Sequence, residues 1–187
     1  MDRQNAAGQA LDFILDESLR KTIEDAIQYI YIIFDQTETS DSALYKEETY
    51  RVIVLYVISV IEAVLLYVLK TRGEKIEYID YKYVTSLPRG FIHKEVPENP
   101  VVVAVQKRQE KADHQIGLVE MVEFMKNSGL MSDSFAEDIL KANDIRNTFH
   151  LTKPRSVKCE VDTVDLVFDL LIKVIKRAPK AITFNKN

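Results

Sequence analysis

A short segment near residue 150 combines side chains that can act on a phosphodiester. Residues 142–154 are A-N-D-I-R-N-T-F-H-L-T-K-P, with Arg146 and His150 four positions apart and Asn147 between them. Residues four apart lie on the same face of a helix. An arginine can bind a phosphate through two parallel N–H donors, and a histidine exchanges protons near neutral pH. The three residues therefore predict a site able to cut RNA, in which Asn147 positions the other two.

Spacing alone discriminates poorly, because the chain contains other arginine–histidine pairs. Arg89 precedes His93 in a predicted turn, and Arg108 precedes His114 in a predicted charged connecting segment. Only Arg146 and His150 fall on a segment with helical spacing of apolar residues. The pair is also compatible with a simple surface contact near a helix end, so both interpretations stay open.

Length and composition indicate one globular domain over residues 1–187. The chain has 47% apolar and 29% charged residues, with five glycines and five prolines. The single cysteine, Cys159, excludes an internal disulfide and is expected to be an inert thiol in a reducing, cytoplasmic protein. The polar, acidic start of the chain indicates no secretory signal.

Charge is distributed unevenly along the chain. Residues 1–50 hold eleven acids and four bases, whereas residues 141–187 hold ten bases and five acids. A polyanion would therefore be favoured near the C-terminal part. Lys153 and Arg155 follow the arginine–histidine pair directly and are the expected substrate-binding residues.

Apolar periodicity predicts four long helices and one short one. The long helices are expected over Gln9–Asp35, Ala43–Lys70, a segment from Phe135 to Phe149, and a last segment that Pro179 closes; the short helix is expected over Ile116–Asn127. This order predicts a mainly α protein, an antiparallel four-helix bundle with one short extra helix.

The second predicted helix is unusually apolar. Val52–Leu69 contains only Ser59 and Glu62 as polar residues, and its length would just span a bilayer. A carboxylate at mid-bilayer costs about 2.5–3.5 kcal/mol. We therefore expect a buried core helix, covered by other helices or by a second copy, and no membrane association. Glu62 then needs a partner, which Arg146 would supply.

Residues 74–115 differ in character and predict a β-hairpin inserted between helices. Lys75–Val84 and Val101–Val105 are β-branched and aromatic, and residues 87–90 and 97–100 carry turn signals. Three tyrosines lie among basic residues in the first strand, at Tyr78, Tyr81 and Tyr83. They would either stack on nucleotides or form the half-buried face of the strand.

Several catalytic motifs are missing from the sequence. There is no glycine-rich phosphate loop, no G-x-S-x-G, no H-E-x-x-H and no paired cysteine–histidine set, and the three histidines form no ligand cluster. The sequence therefore predicts neither a metal site nor a cofactor.

The segment I-R-N-T-F-H-L, together with an earlier helix containing V-I-E-A-V-L-L-Y-V-L, resembles the HEPN superfamily. That resemblance implies an α-helical bundle, a homodimer, and a metal-independent endoribonuclease of the kind found in toxin–antitoxin and defence systems. By that resemblance, Arg146 would bind the phosphate and His150 would act as general acid and base. Asn147 matches the polar residue that follows the arginine, and Glu62 matches an acidic residue on an earlier helix.

The resemblance leaves two functions open. The three residues between Arg146 and His150 are fewer than the family usually has. The spacing therefore also fits a non-catalytic HEPN-like module that dimerises or binds RNA or protein. RNA, an antitoxin or another protein, and a second copy are the expected partners.

Overall fold

The computed structural model describes residues 10–87, 101–149 and 158–183. Its elements in chain order are α1 (Glu17–Glu38), α2 (Ala43–Thr71), β1 (Glu77–Ser86), β2 (Val102–Glu110), a short 3₁₀ helix (Asp113–Gln115), α3 (Leu118–Asn127), α4 (Asp133–Thr148) and α5 (Val161–Thr183). The predicted class is confirmed at this level: the protein is mainly helical and carries a small two-stranded antiparallel sheet. The contacts divide it into two compact units, one of helices and one containing the sheet.

Helix α2 is the centre of the helical unit. It contacts α1, α3, α4 and α5. Its side chains from Ile53 to Leu69 supply much of the core, and Ile53, Val57 and Ile61 are completely buried. Among the described residues, α2 is the one helix long and apolar enough to cross a membrane, but 56% of that apolar window is buried inside the protein. The expected core helix is therefore present.

Helix α1 begins later than predicted. It starts at Glu17 rather than at residue 9, because the Asp16 side chain accepts a hydrogen bond from the Leu19 amide and caps the helix. Leu11 and Ile14 are buried in a separate turn before that cap. Because the helical spacing of apolar residues continues across this turn, that spacing alone could not locate the first residue of α1.

Helix α5 does not end at Pro179, as was predicted; it continues to Thr183 with Pro179 inside it. Proline removes one backbone donor and usually interrupts a helix. Here Arg72, at the end of α2, donates hydrogen bonds to the carbonyls of Ala181 and Ile182. This contact satisfies acceptors that a helix end leaves free and holds the last turn in place.

The second unit contains the predicted two strands, paired antiparallel with Tyr81 opposite Gln106 and a register shift between Tyr83 and Thr85. Strand β2 extends to Glu110, so the prediction that Arg108 lies in a connecting segment was wrong. Cross-strand ion pairs explain the extension: the Lys75 ammonium lies 2.5 Å from the Glu110 carboxylate, and Arg108 lies 4.0 Å from Glu77. The turns predicted at 88–90 and 97–100 lie outside the described residues.

The tyrosines of β1 are exposed, so their interpretation as a half-buried face was wrong. Tyr81 and Tyr83 are 60% and 59% exposed. A two-stranded sheet has too few strands to bury a face by itself. The strand pattern predicted the element but could not show what would cover it.

Two substitutions on α2 test its role as the core helix. Ile61→Ala removes a completely buried side chain, and we expect it to lower the free energy of unfolding by about 2–5 kcal/mol. Leu55→Ala on the same helix is the matched control, since Leu55 is 37% exposed, and it should cost well under half as much. Urea denaturation measures both, and equal losses would contradict the assignment of the buried face.

Candidate functional site

Arg146 and Glu62 meet between α4 and α2. Arg146 lies in the last turn of α4, and its Nη1 is 3.7 Å from the Glu62 Oε2. The two side chains are 29% and 30% exposed, so the pair is partly shielded but open to solvent. A guanidinium has five N–H donors in one plane. Glu62 therefore restrains Arg146 while other donors stay available for a phosphate.

A second contact from α2 supports the same end of α4. The Arg51 guanidinium carbon lies 4.8 Å from the centre of the Phe149 ring, the residue that ends the helix. Arg51 is only 5% exposed and forms ion pairs with Glu47 at 2.5 Å and with Glu48 at 3.9 Å. A buried cation over an aromatic face contributes about 1–2 kcal/mol or more. Arg51 therefore anchors the residue immediately before His150.

This role of Arg51 was not predicted from the sequence. Arg51 directly precedes the apolar stretch of α2 and was not among the predicted site residues. The available signal was the acid pair Glu47 and Glu48, four and three residues earlier, which is the spacing of helical ion pairs. Nothing in the sequence linked Arg51 to Phe149, 98 positions later.

The predicted site residues are only partly described. Glu62 and Arg146 are brought together, and Asn147 is half-buried in the last turn of α4 beside Arg146. His150, Lys153 and Arg155 lie outside the described residues, as does His93. Asn143, one turn before Asn147, is buried at 6% exposure and extends the polar row on this face of α4.

An exposed apolar stripe lies on α2 and α1. On α2 it comprises Val52, Leu55 and Tyr56, which are 37–41% exposed. Tyr29 and Ile32 of α1 continue it, and the Tyr29 and Tyr56 ring centres are 5.3 Å apart. Leu55 and Glu62 are seven residues apart, two turns of the same helix, so the stripe and the ion pair share one side of α2.

Two side chains near the first half of α2, Cys159 and Tyr50, have raised pKa values. Burial raises the pKa of the Cys159 thiol to about 11, although the nearby Arg51 cation opposes the shift. Burial and a hydrogen bond donated by its hydroxyl to Glu38 raise the pKa of Tyr50 to about 12. Both groups are therefore neutral at physiological pH and form part of the packing around Arg51.

In the described parts of the chain, no three His, Cys, Asp or Glu residues are grouped so that they could hold a metal ion. No protein family, curated protein or solved structure matches the sequence or the fold.

A double-mutant cycle tests the Glu62–Arg146 contact. We expect Glu62→Gln and Arg146→Gln to show a coupling energy of about 0.2–1 kcal/mol in urea unfolding, as for a partly exposed pair. The matched control is Lys126 with Asp133, whose atoms are 3.6 Å apart but whose carboxylate is 79% exposed. That pair should couple more weakly, and the reverse order would contradict a restrained Arg146.

Thiol titration tests the environment of Cys159. At pH 8 the folded protein should react with a disulfide reagent far more slowly than the urea-unfolded chain, because the thiol is buried and its pKa is raised to about 11. The rate should increase as the pH rises toward that value, since the thiolate fraction increases. Rapid reaction of the folded protein at pH 8 would contradict the buried position.

Proposed function

We propose that the protein is a metal-independent endoribonuclease of HEPN type, with the helices around α2 forming the family's four-helix bundle. The observation that carries this proposal is the Glu62–Arg146 pair, which presents a restrained guanidinium, still open to solvent, in the last turn of α4. The same turn leads directly into His150. The proposal places the protein in the cytoplasm as a component of a toxin–antitoxin or defence system.

The proposed reaction follows from the chemistry of these side chains. His150 removes the proton from a ribose 2′-hydroxyl, and the 2′-oxygen attacks the adjacent phosphorus. The bond from phosphorus to the 5′-oxygen breaks, and that oxygen takes up a proton from water. The products are a 2′,3′-cyclic phosphate and a free 5′-hydroxyl. No metal ion is needed to balance these steps.

Arg146 stabilises the transition state in this scheme. Negative charge builds on the phosphoryl oxygens during the attack, and a guanidinium held in place can bind them without reorganising. Glu62 lies beside Nη1 of the Arg146 guanidinium, and Arg51 contacts the ring of Phe149. Asn147 orients His150, and Lys153 with Arg155 bind the flanking phosphates.

RNA cleavage in the presence of EDTA tests the proposal. The wild-type protein should cut single-stranded RNA and leave 2′,3′-cyclic phosphate ends. Arg146→Ala should reduce the rate by about 10²–10³-fold, the effect of removing one preorganised donor. His150→Ala should lose about 10²–10⁴-fold, the contribution of general acid–base transfer.

The matched control is Lys141→Ala, an exposed cation on the same helix that is not assigned to the site. Its cleavage rate should equal that of the wild type, and circular dichroism should show all three variants folded. If folded His150→Ala cuts RNA as fast as the wild type, the ribonuclease assignment is wrong.

A second function, a non-catalytic binding or dimerisation module, has two observations in its favour. The exposed apolar stripe of Val52, Leu55 and Tyr56 is suited to a protein partner such as an antitoxin. In addition, three acids (Glu47, Glu48 and Glu62) accompany the two arginines around the α4 end, which does not favour a polyanion. This alternative predicts binding without turnover and no effect of His150→Ala.

A further inference from the structure

A groove of about 590 Å³ lies between α1 and α5. Pockets that hold small organic molecules commonly have volumes of roughly 300–1,000 Å³. The apolar part of the lining is formed mainly by Ile27, Tyr31, Phe34, Phe168, Ile172 and Ile175. Two charged side chains, Asp165 and Lys176, also line the groove. It therefore suits a small molecule that is mostly apolar and carries a charge at one end.

Three aromatic rings meet in one part of the groove. The rings of Tyr31 and Phe168 are stacked, with their centres 5.5 Å apart and their planes 7° apart. Phe34 meets Phe168 edge to face, with the centres 5.9 Å apart and the planes at 87°. All three side chains are half-buried and line the groove. The face of an aromatic ring carries partial negative charge and attracts a cation, so this corner favours a cationic group.

Acidic side chains lie at the same end of the groove. Asp165 is three residues before Phe168 on α5, and Glu38 is four residues after Phe34 on α1, about one helical turn in each case. The Tyr50 ring centre is 6.4 Å from that of Phe34, and the Tyr50 hydroxyl donates a hydrogen bond to Glu38. Burial and Glu38 raise the pKa of Tyr50 to about 12, and the charge of Asp165 contributes to the same shift. Both carboxylates are therefore close to the aromatic end.

The charges at the aromatic end favour a cation over an anion. Asp165 is exposed, and among the described residues no Lys, Arg or His forms an ion pair with it. The first half of α5 contains three aspartates and no base. Lys46 of α2 approaches Glu38, but its ammonium donates a hydrogen bond to the backbone carbonyl of Glu38. Lys176 lies eleven residues after Asp165, about 16 Å farther along α5. A cation is therefore attracted to the aromatic end and repelled from the other end.

We propose that the groove between α1 and α5 binds an apolar organic cation, such as an alkylammonium with a quaternary head. The charged head lies against the rings of Phe34 and Phe168 and beside Asp165, and the chain follows the apolar wall toward Ile172 and Ile175. Aromatic faces are the usual means by which proteins bind quaternary ammonium groups, and a carboxylate adds direct charge attraction.

This binding site goes beyond the proposed function and does not depend on it. The groove is formed by α1 and α5, whereas Glu62 and Arg146 lie on α2 and α4. Of the residues that line the groove, only Lys176 would attract an anionic head. An amphiphile with an anionic head is therefore the main alternative occupant, and a probe of that kind distinguishes the two.

Titration with hexyltrimethylammonium, followed by NMR of the backbone amides, tests the proposal. Hexanol and hexyl sulfate carry the same chain with a neutral and an anionic head. Hexyltrimethylammonium should shift the amide signals of Phe34 and Phe168 and should bind about two- to fivefold more tightly than hexanol, because its head is attracted by the rings and by Asp165. Hexyl sulfate should bind more weakly than hexanol.

Two substitutions locate the charged head. Asp165→Asn should weaken the binding of hexyltrimethylammonium by about two- to fivefold and leave hexanol binding unchanged, because only the charge is removed. Phe168→Leu keeps an apolar wall but removes a ring, and the cation should lose a similar factor. Asp138→Asn is the matched control, since Asp138 is an exposed aspartate of α4 that does not line the groove, and it should bind the cation as the wild type does.

Three results would each overturn the proposal. The first is that hexyltrimethylammonium leaves the amide signals of the groove residues unchanged. The second is that hexyl sulfate binds more tightly than hexyltrimethylammonium, which would place an anionic head at Lys176. The third is that folded Asp165→Asn binds the cation as tightly as the wild type. Since the measurement is of binding at α1 and α5, none of these results bears on RNA cleavage, which is measured separately.

Discussion

The structure depends on the need to cover one apolar helix. Helix α2 has completely buried side chains along most of its length, and leaving them in water would cost roughly 1.5–3 kcal/mol each. Four other helices pack on it to prevent this. Because α2 is held from several sides, its few polar side chains have fixed positions, and any group that contacts them is positioned in turn.

The candidate site follows from that constraint. Glu62 and Arg51 both project from α2, and they contact Arg146 and Phe149 within the last turn of α4. The Glu62 contact restrains the Arg146 cation, which is open to solvent. The Arg51 contact is buried and anchors Phe149. Together they determine where the chain leaves α4, which is the point from which His150 would act.

The features that could be predicted from the sequence are those that a local pattern of residues determines. Apolar spacing located α2 and α4. Each of these helices begins directly after a serine, and the Ser42 side chain accepts a hydrogen bond from the Tyr45 amide. The features that it missed depend on distant partners. Pro179 stays inside α5 because Arg72 binds carbonyls more than a hundred residues away, and β2 continues through polar residues because Lys75 and Glu77 face it. In the site, a partner for Glu62 could be predicted because Glu62 is a charged residue within an apolar helix. The contact of Arg51 with the Phe149 ring could not be predicted, since no nearby residue signals it.

The claim that matters most is that Arg146 binds the phosphate to be cut. A crystal structure with an RNA whose 2′-hydroxyl at the cleavage position is replaced by fluorine would test it directly, since that RNA binds but cannot react. We expect a phosphate oxygen within about 3 Å of the Arg146 guanidinium and the His150 imidazole next to the fluorine. RNA bound elsewhere on the protein, with Arg146 still paired only to Glu62, would contradict it.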